Sequence, residues 1–211
     1  SEGHSVSLVL DKNTELGKGI IDQIVYQPSS SLLEFLGNNQ ADITLADFDN
    51  QGKSLDFFRK QGKRILGPSL WSETLETDPE YQKDLIKAIG WNQDKVTNGA
   101  NLYITCWYNG TRYISTYTSL MYKRLMSGGA GPDVEFTGMV GNFYQPTEKV
   151  LNSFLTPLEK VLRRVNHRGP FHIKAMVSGQ DFSVKSISTS LSCPLSLLLF
   201  ENSKLSASDI L

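Results

Sequence analysis

Short apolar runs alternate with amphipathic segments along the first third of the chain. Runs of β-branched and aliphatic residues, each followed by a polar or glycine-containing turn, predict strands at Val6–Leu10, Asp42–Phe48 and Arg64–Leu66. Between these runs, apolar residues that cluster on one helical face predict helices at Leu32–Leu36 and Ser54–Gln61. Strands and helices that alternate in this order are typical of an open parallel sheet.

Aromatic and β-branched residues dominate the pattern that follows. A helical segment is predicted from Trp71 to Gly90, and two strands are predicted at Leu102–Tyr108 and Arg112–Tyr117. The dipeptide Asn109-Gly110 between these strands is a strong β-hairpin signal. It predicts a type I′ turn, in which both central residues have positive φ.

The rest of the chain combines loop, helix and strand patterns. The predicted segments are a glycine-rich loop, an amphipathic helix, two strands and a last helix, at Ser127–Gly141, Lys149–Asn166, His172–Val177, Phe182–Ile187 and Leu195–Leu211. We therefore predict the α/β class, α+β overall, with two domains. Residues 1–70 would form a partial doubly wound α/β domain, and residues 71–211 would form a β-sheet packed with helices.

Composition and charge exclude several classes of protein. The 21 basic and 22 acidic side chains give a net charge of −1, so the chain has no strong attraction to nucleic acid or to an anionic membrane. No apolar run is long enough for a transmembrane helix. Two cysteines, Cys106 and Cys193, make neither a disulfide framework nor a zinc site. Since the first residues do not resemble a signal peptide, we expect a cytoplasmic protein, in the host cytoplasm if the source is a virus.

Three segments carry recognisable motifs in a fixed order. Ala41–Glu76 runs through a strand, a helix and a Gly-Pro strand end into another helix. Leu102–Pro146 contains two strands around a glycine turn, then Tyr122-Lys123-Arg124 and a series of glycines. Leu155–Val177 is a helix followed by Arg168-Gly169-Pro170-Phe171. Together these motifs resemble the ATP-grasp ligases, and among them phosphoribosylamine–glycine ligase and its shorter phage-type relatives.

The resemblance implies a reaction in which Mg-ATP activates a carboxylate as an acyl phosphate. It places the metal and phosphate ligands in one late strand that ends in a proline. When that proline is aligned with Pro194, the ligand positions fall on Ser186, Ser188 and Ser190. Hydroxyls are poor ligands for Mg²⁺ and carry no charge, so we expect no catalytic residue, no metal site and no cofactor. The resemblance also implies a lid subdomain, for which the few residues between Gly90 and Leu102 are too short. The sequence therefore predicts a degenerate, lidless ATP-grasp-like domain.

One candidate anion site remains within these motifs. The resemblance places Lys123 and Arg124 near a substrate phosphate. The glycines that follow could present backbone N–H groups to the same anion, and they are Gly128, Gly129, Gly131 and Gly138. The alternative is a solvated charge pair at a strand end followed by a tight surface loop. Asp133 and Glu135 are the acidic pair of that loop, where a solvated turn is favoured over a metal site.

The three histidines, His4, His167 and His172, are scattered along the chain. His167 follows a basic helix end, where we expect a positive charge that complements the helix dipole.

Our leading hypothesis is a non-catalytic phosphoribosylamine–glycine ligase-like protein that binds a partner protein or a small phosphate or carboxylate ligand. The alternative is an active ATP-dependent carboxylate–amine ligase that uses Mg-ATP and whose lid and first strand are absent from this sequence. A structural or assembly protein that uses the same scaffold is a third hypothesis.

Overall fold

The computed structural model describes residues 5–10, 23–26, 32–46, 50–142 and 147–191. His4, Cys193 and the predicted helix Leu195–Leu211 lie outside these residues. The described part has the predicted α/β class, with two small parallel strand pairs followed by a five-stranded antiparallel sheet. In that part of the chain, no helix is long and apolar enough to cross a membrane.

Two parallel strand pairs form the first part of the structure. β1 (Ser7–Leu10) pairs with β2 (Gln23–Tyr26), and β3 (Thr44–Leu45) pairs with β4 (Ile65–Leu66). β1 and β4 confirm two of the predicted strands, whereas β3 covers only the middle of the predicted strand Asp42–Phe48. The sequence analysis did not predict β2.

The predicted helices between these strands are confirmed as α1 (Leu32–Asn38) and α2 (Gly52–Lys60). They pack with the strands around a small apolar core. Its buried members and the residues packed against them are Leu36, Ala46, Leu55, Val9, Phe58 and Ile65.

Arg59 ties α2 to the end of β4. Its Nε donates to the Ile65 carbonyl at 2.9 Å, and its Nη2 donates to the Gly67 carbonyl at 2.7 Å. Its Nη1 lies 2.7 Å from the Asp56 carboxylate and 3.1 Å from the Pro68 carbonyl. Because the planar guanidinium offers five N–H donors in a rigid fork, one side chain satisfies several carbonyls of this loop.

The predicted helical segment over Trp71–Gly90 is confirmed, and it consists of two helices, α3 (Leu70–Thr77) and α4 (Pro79–Ala88). Asp78 separates them with an extended backbone, φ −112° and ψ 97°. Its carboxylate accepts two backbone N–H groups of the first turn of α4, both at 3.0 Å. Pro79 follows at the first helical position, where its missing N–H costs nothing. A cap and a proline therefore start a new helix here.

The main sheet has the strand order β7-β6-β5-β8-β9, and each neighbouring pair is antiparallel. Its strands are β5 (Ala100–Tyr108), β6 (Tyr113–Met126), β7 (Ala130–Asn142), β8 (Gly169–Ser178) and β9 (Asp181–Ser188). Residues 89–99 connect α4 directly to β5.

The helical segment between β7 and β8 begins at α5 (Glu148–Val150). It continues through a π-helical turn (Leu151–Leu155) into α6 (Thr156–Arg164). The predicted helix Lys149–Asn166 is confirmed, and it ends where Asn166 adopts a φ of 52°.

The predicted glycine-rich loop over Ser127–Gly141 is wrong. A tight turn occupies Ser127–Gly129, and the rest belongs to β7, which pairs with an unexpectedly long β6. Glycine weakens a strand but does not forbid one, because the neighbouring strand supplies the backbone hydrogen bonds. Glycine content alone therefore misled the sequence analysis.

The turn between β5 and β6 also differs from its prediction. Tyr108 pairs with Tyr113, so four residues rather than two form the loop. Gly110 has a φ of 95°, but Asn109 does not have positive φ, so the turn is not type I′. Instead, the Asn109 side-chain oxygen accepts the backbone N–H of Arg112 at 2.9 Å. An asparagine side chain that bonds its own turn replaces the predicted geometry.

The two faces of the main sheet differ in what covers them. One face packs against α3, α4 and α6, and its buried residues include Ile104, Cys106, Phe171, Ile173, Ala175, Val184 and Ile187. The opposite face, which we call the outer face, carries a smaller cluster around Trp107 and Tyr117, against which Leu66 and Leu191 pack.

Candidate functional site

Four residues of the outer face lie side by side across four strands. Ser119 of β6 pairs with Tyr103 of β5, Tyr103 pairs with Lys174 of β8, and Lys174 pairs with Ser186 of β9. Directly opposite residues in antiparallel strands share a face. We call these four residues the lysine row. It brings one predicted ligand position, Ser186, against a lysine that the sequence analysis did not single out.

A second row lies next to it on the same face. Tyr117, Thr105, His172 and Ser188 pair in the same way across β6, β5, β8 and β9. Ser188 is the second predicted ligand position, so β9 places two of these positions on the outer face.

His172 holds the third predicted position, Ser190, near these rows. Its Nε2 donates to the Ser190 carbonyl at 3.0 Å, because a carbonyl oxygen can only accept. Its Nδ1 therefore accepts the hydroxyl hydrogen of Thr105, also at 3.0 Å. Burial lowers the pKa of His172 to about 4, so the ring is neutral at pH 7. His172 is thus a hydrogen-bonding side chain that positions the segment after β9.

Lys174 is a half-buried cation of the outer face. Its Nζ lies 5.7 Å from the centre of the Tyr103 ring, within the range of a cation–π contact. Burial, and after it the hydrogen bond and charge of Lys123, lower the pKa of Lys174 to about 8. The structure therefore brings the predicted site residue Lys123 together with Lys174. The signal in the sequence is the alternation of His172 and Lys174 with apolar residues along β8.

The other predicted anion-site residues lie in the β6–β7 hairpin. Arg124 lies inside β6 rather than at a strand end, and its Nη1 donates to the Gly131 carbonyl at 2.9 Å. Gly128 and Gly129 form the turn, and Gly138 lies opposite Tyr122 in the ladder. Gly128 and Gly131 have positive φ, 71° and 83°. The structure thus joins Arg124 to Gly131, while Gly138 lies farther along the hairpin.

The donor set of the outer face does not fit Mg²⁺. The described residues contain no group of three or more His, Cys, Asp and Glu side chains that could hold a metal ion. The three serines present hydroxyls, and the ammonium group of Lys174 repels a second cation. Glu76 does reach the end of β9, but its Oε1 accepts the backbone N–H of Thr189 at 2.6 Å.

Two other residues, Cys106 and Lys185, have structural environments. Cys106 is buried, its thiol lies 3.5 Å from the Phe171 carbonyl, and burial raises its pKa, so it is not an activated nucleophile. Lys185 lies in β9 at the register shift between the pairs Lys174–Ser186 and Ala175–Val184, and its Nζ donates to the Gln93 carbonyl at 2.7 Å.

The predicted basic helix end is confirmed, because Arg163 and Arg164 lie in the last turn of α6, but His167 adds no charge to it. His167 is buried beside the rings of Trp71 and Phe171, and its Nε2 donates to the Pro170 carbonyl at 3.1 Å. Burial lowers its pKa to about 4, so it carries no charge at pH 7. A neutral ring cannot offset the negative end of a helix.

A similar fold is found in solved structures of two ligases and one synthetase. Phosphoribosylamine–glycine ligase from Thermotoga maritima aligns with a TM-score of 0.66 at 14% identity, over 95% of this chain and 66% of that one. N5-carboxyaminoimidazole ribonucleotide synthetase from Thermotoga maritima aligns with a TM-score of 0.60 at 15% identity, over 89% and 62%. L-amino acid ligase from Bacillus licheniformis aligns with a TM-score of 0.60 at 9% identity, over 91% and 62%.

The chain therefore has a partial ATP-grasp fold. It spans less than two thirds of the length of each of these three structures. Phosphoribosylamine–glycine ligase, the enzyme to which the sequence motifs point, is among its structural neighbours. No protein-family model and no curated protein matches the sequence.

Proposed function

We propose that this chain is a degenerate ATP-grasp protein, similar to phosphoribosylamine–glycine ligase, that binds a small phosphate or carboxylate ligand without ATP-dependent catalysis. One observation carries the proposal. Where the resemblance places acidic metal ligands, the structure has Ser186, whose partner on the neighbouring strand is Lys174.

Ligand chemistry supports the absence of catalysis. Phosphoryl transfer relies on positioning and on cations that neutralise the phosphates, and Mg²⁺ requires oxygen ligands, chiefly carboxylates. Hydroxyls at Ser186, Ser188 and Ser190 supply no negative charge. The connection over residues 89–99 also leaves no subdomain that could exclude water from a triphosphate.

The anion-binding part of the proposal rests on the cations beside this face. Lys123 and Arg124 lie in β6, and the positive-φ turn at Gly128 to Gly131 follows them. Backbone N–H groups in such turns form concave anion sites. We expect modest affinity that weakens as ionic strength rises, because salt screens partly exposed charges.

Titration calorimetry tests the two parts separately. We expect no micromolar binding of Mg-ATP and no ATP turnover. Micromolar binding or measurable turnover would contradict the non-catalytic assignment. A thermal-shift screen of phosphorylated sugars, nucleotides and amino acids then tests for anion binding.

The Lys123→Ala, Arg124→Ala double variant should lose any anion-induced rise in Tm. The matched control is Lys160→Ala with Arg164→Ala, which removes the same two charges from exposed positions on α6. An equal shift in both double variants would show that the β6 cations do not hold the ligand.

A partner protein is the second candidate for what this scaffold binds. An exposed apolar cluster lies on the β6–β7 hairpin. Leu120 of β6 pairs with Val140 of β7, and Tyr122 is two residues further along β6. The three residues are 48%, 79% and 47% exposed, respectively. Clustered exposed apolar side chains are typical of interaction surfaces. The alternative enzyme function is an active ATP-dependent carboxylate–amine ligase. Micromolar binding of Mg-ATP would support this alternative.

A further inference from the structure

We propose that Lys123 and Lys174 together form a binding site for one phosphate or carboxylate group on the outer face, completed by the hydroxyls of the lysine row. This inference rests on the proposed function, because it locates the anion. It differs from that proposal in placing the anion over β5 and β8, rather than in the β6–β7 turn.

The strand order brings the two lysines together. β6 and β8 flank β5, so their backbones are about 10 Å apart, two strand spacings. Lys123 lies two residues beyond Met121, the last residue of β6 that pairs with β5, and its side chain interacts with that of Lys174. The ring of Tyr103 lies 5.7 Å from the ammonium group of Lys174 and attracts it. The site is therefore built on three hydrogen-bonded strands.

The neighbouring positive charges of Lys123 and Lys174 favour a bound anion. Two adjacent ammonium groups repel each other, and half-burial of Lys174 makes water a poorer screen. Among the described residues, no carboxylate contributes to the environment of Lys174. An oxyanion between the two Nζ atoms would convert this repulsion into two charge-assisted hydrogen bonds.

Hydroxyl groups in the lysine row complete the donor set. Ser186 lies directly beside Lys174, and Ser119 lies on the other side of Tyr103. The buried Ser119 Oγ has no hydrogen-bond partner among the described residues. Ammonium and hydroxyl groups donate hydrogen bonds, so they suit the oxygens of a phosphate or carboxylate group. A metal ion would need carboxylate ligands, which this set of residues does not include.

Proton linkage gives the site a signature. The pKa of Lys174 is about 8 in the unliganded protein, and the groups that face it are Lys123, Tyr103 and the neutral His172. A bound anion favours the charged lysine, so it raises this pKa. Affinity should therefore fall about tenfold between pH 7 and pH 9, and binding at pH 9 should take up a proton.

Calorimetry at constant ionic strength is the test, with inorganic phosphate and citrate as probes of the two ligand chemistries. Lys174→Met keeps the apolar stem over Tyr103 and should weaken binding by about tenfold or more. Lys160→Met on α6 is the matched control and should bind as the unmodified protein does. Sulfate, whose charge does not change above pH 7, serves for the pH series.

Three results would overturn the inference. Unchanged affinity in Lys174→Met would place the anion elsewhere and leave the proposed function standing. Binding that does not depend on pH would exclude Lys174 as a ligand. If neither phosphate nor citrate binds, both this inference and the anion-binding function fail, whereas tight Mg-ATP binding contradicts only the non-catalytic assignment.

NMR of the protein with ¹³C-methylated lysines covers the case in which Lys174→Met does not fold. In the unmodified protein, added phosphate should shift the Lys123 and Lys174 methyl signals and leave that of Lys160 in place. Equal small shifts at all lysines would instead indicate general ionic screening.

Discussion

His172 Nε2 donates to the carbonyl oxygen of Ser190 at 3.0 Å, which links the centre of β8 to the segment that leaves β9. Burial lowers the pKa of His172 to about 4, so at pH 7 the ring is neutral and its second nitrogen accepts the Thr105 hydroxyl hydrogen. The folded protein therefore disfavours protonation of this histidine, whereas the unfolded chain does not. This difference predicts how the stability of the protein varies with pH.

Stability should fall between pH 7 and pH 5. The buried rings of His167 and His172 have a pKa of about 4, below the value of about 6.5 for an unfolded chain. As the pH falls through 6.5, only the unfolded state takes up these protons, so stability is lost until the pH reaches about 4. We expect a loss on the order of 2 kcal/mol per histidine at pH 5.

Urea unfolding at several pH values measures this effect. His172→Gln and His167→Gln each remove one titrating ring, so each variant should show a smaller loss from pH 7 to pH 5. A loss that is the same in both variants and the unmodified protein would assign the pH dependence to carboxylates instead.

Arg59→Lys should destabilise the protein by about 1–3 kcal/mol. Lysine cannot reach the carbonyls of Ile65 and Gly67 together with the Asp56 carboxylate, as the guanidinium does. The measurement is the urea midpoint, with Arg164→Lys at an exposed site on α6 as the control. Equal midpoints in the two variants would show that the Arg59 hydrogen bonds contribute little.

Gly110→Val should destabilise the protein by about 1–3 kcal/mol, the usual range for backbone strain. Gly110 has a φ of 95°, which a β-branched residue resists. Gly138→Val is the matched control, because a Cβ at Gly138 meets no atom within 4 Å and its φ is not positive. Thermal unfolding compares the two. If Gly138→Val lowers the Tm as much as Gly110→Val does, the loss does not come from the positive φ of Gly110.

Strong periodicity made much of this fold predictable. The α6 segment, β8 and β9 follow directly from residues that repeat at helical or strand spacing. β2 was missed because Gln23–Tyr26 is too short for a clear alternation. β7 was missed because its glycines carry no side-chain pattern, and its pairing with β6 is a property of two segments together.

The candidate site also combines features that local sequence predicts with features that depend on strand pairing. The positions Ser186, Ser188 and Lys123 could be named from motifs in the sequence. The contact between Lys123 and Lys174 could not, because it depends on β5 lying between β6 and β8. Asn109-Gly110 likewise predicted a hairpin correctly but gave the wrong turn type, since an asparagine side chain competes with the backbone for the same hydrogen bonds.

Ser186→Glu with Ser188→Asn should not restore ATP hydrolysis. The new carboxylate would lie directly opposite Lys174 and pair with it, rather than with a metal ion. Phosphate release with Mg-ATP should stay at the background rate, while the pKa of Lys174 should rise above its present value of about 8. The Gln180→Glu variant, in the exposed turn before β9 and away from Lys174, is the control for added charge. Hydrolysis well above background in the double variant alone would show that the catalytic scaffold is intact.

The strand order β7-β6-β5-β8-β9 also constrains how the chain reaches this structure. β5, β6 and β7 follow one another along the chain, as do β8 and β9, so each group pairs locally. The seam between β5 and β8 must close over β6, β7 and α6, which is the long-range step and the one with the largest loop-closure entropy. The lysine row crosses this seam, so Lys174 reaches Tyr103 and Lys123 only where this long-range pairing has formed.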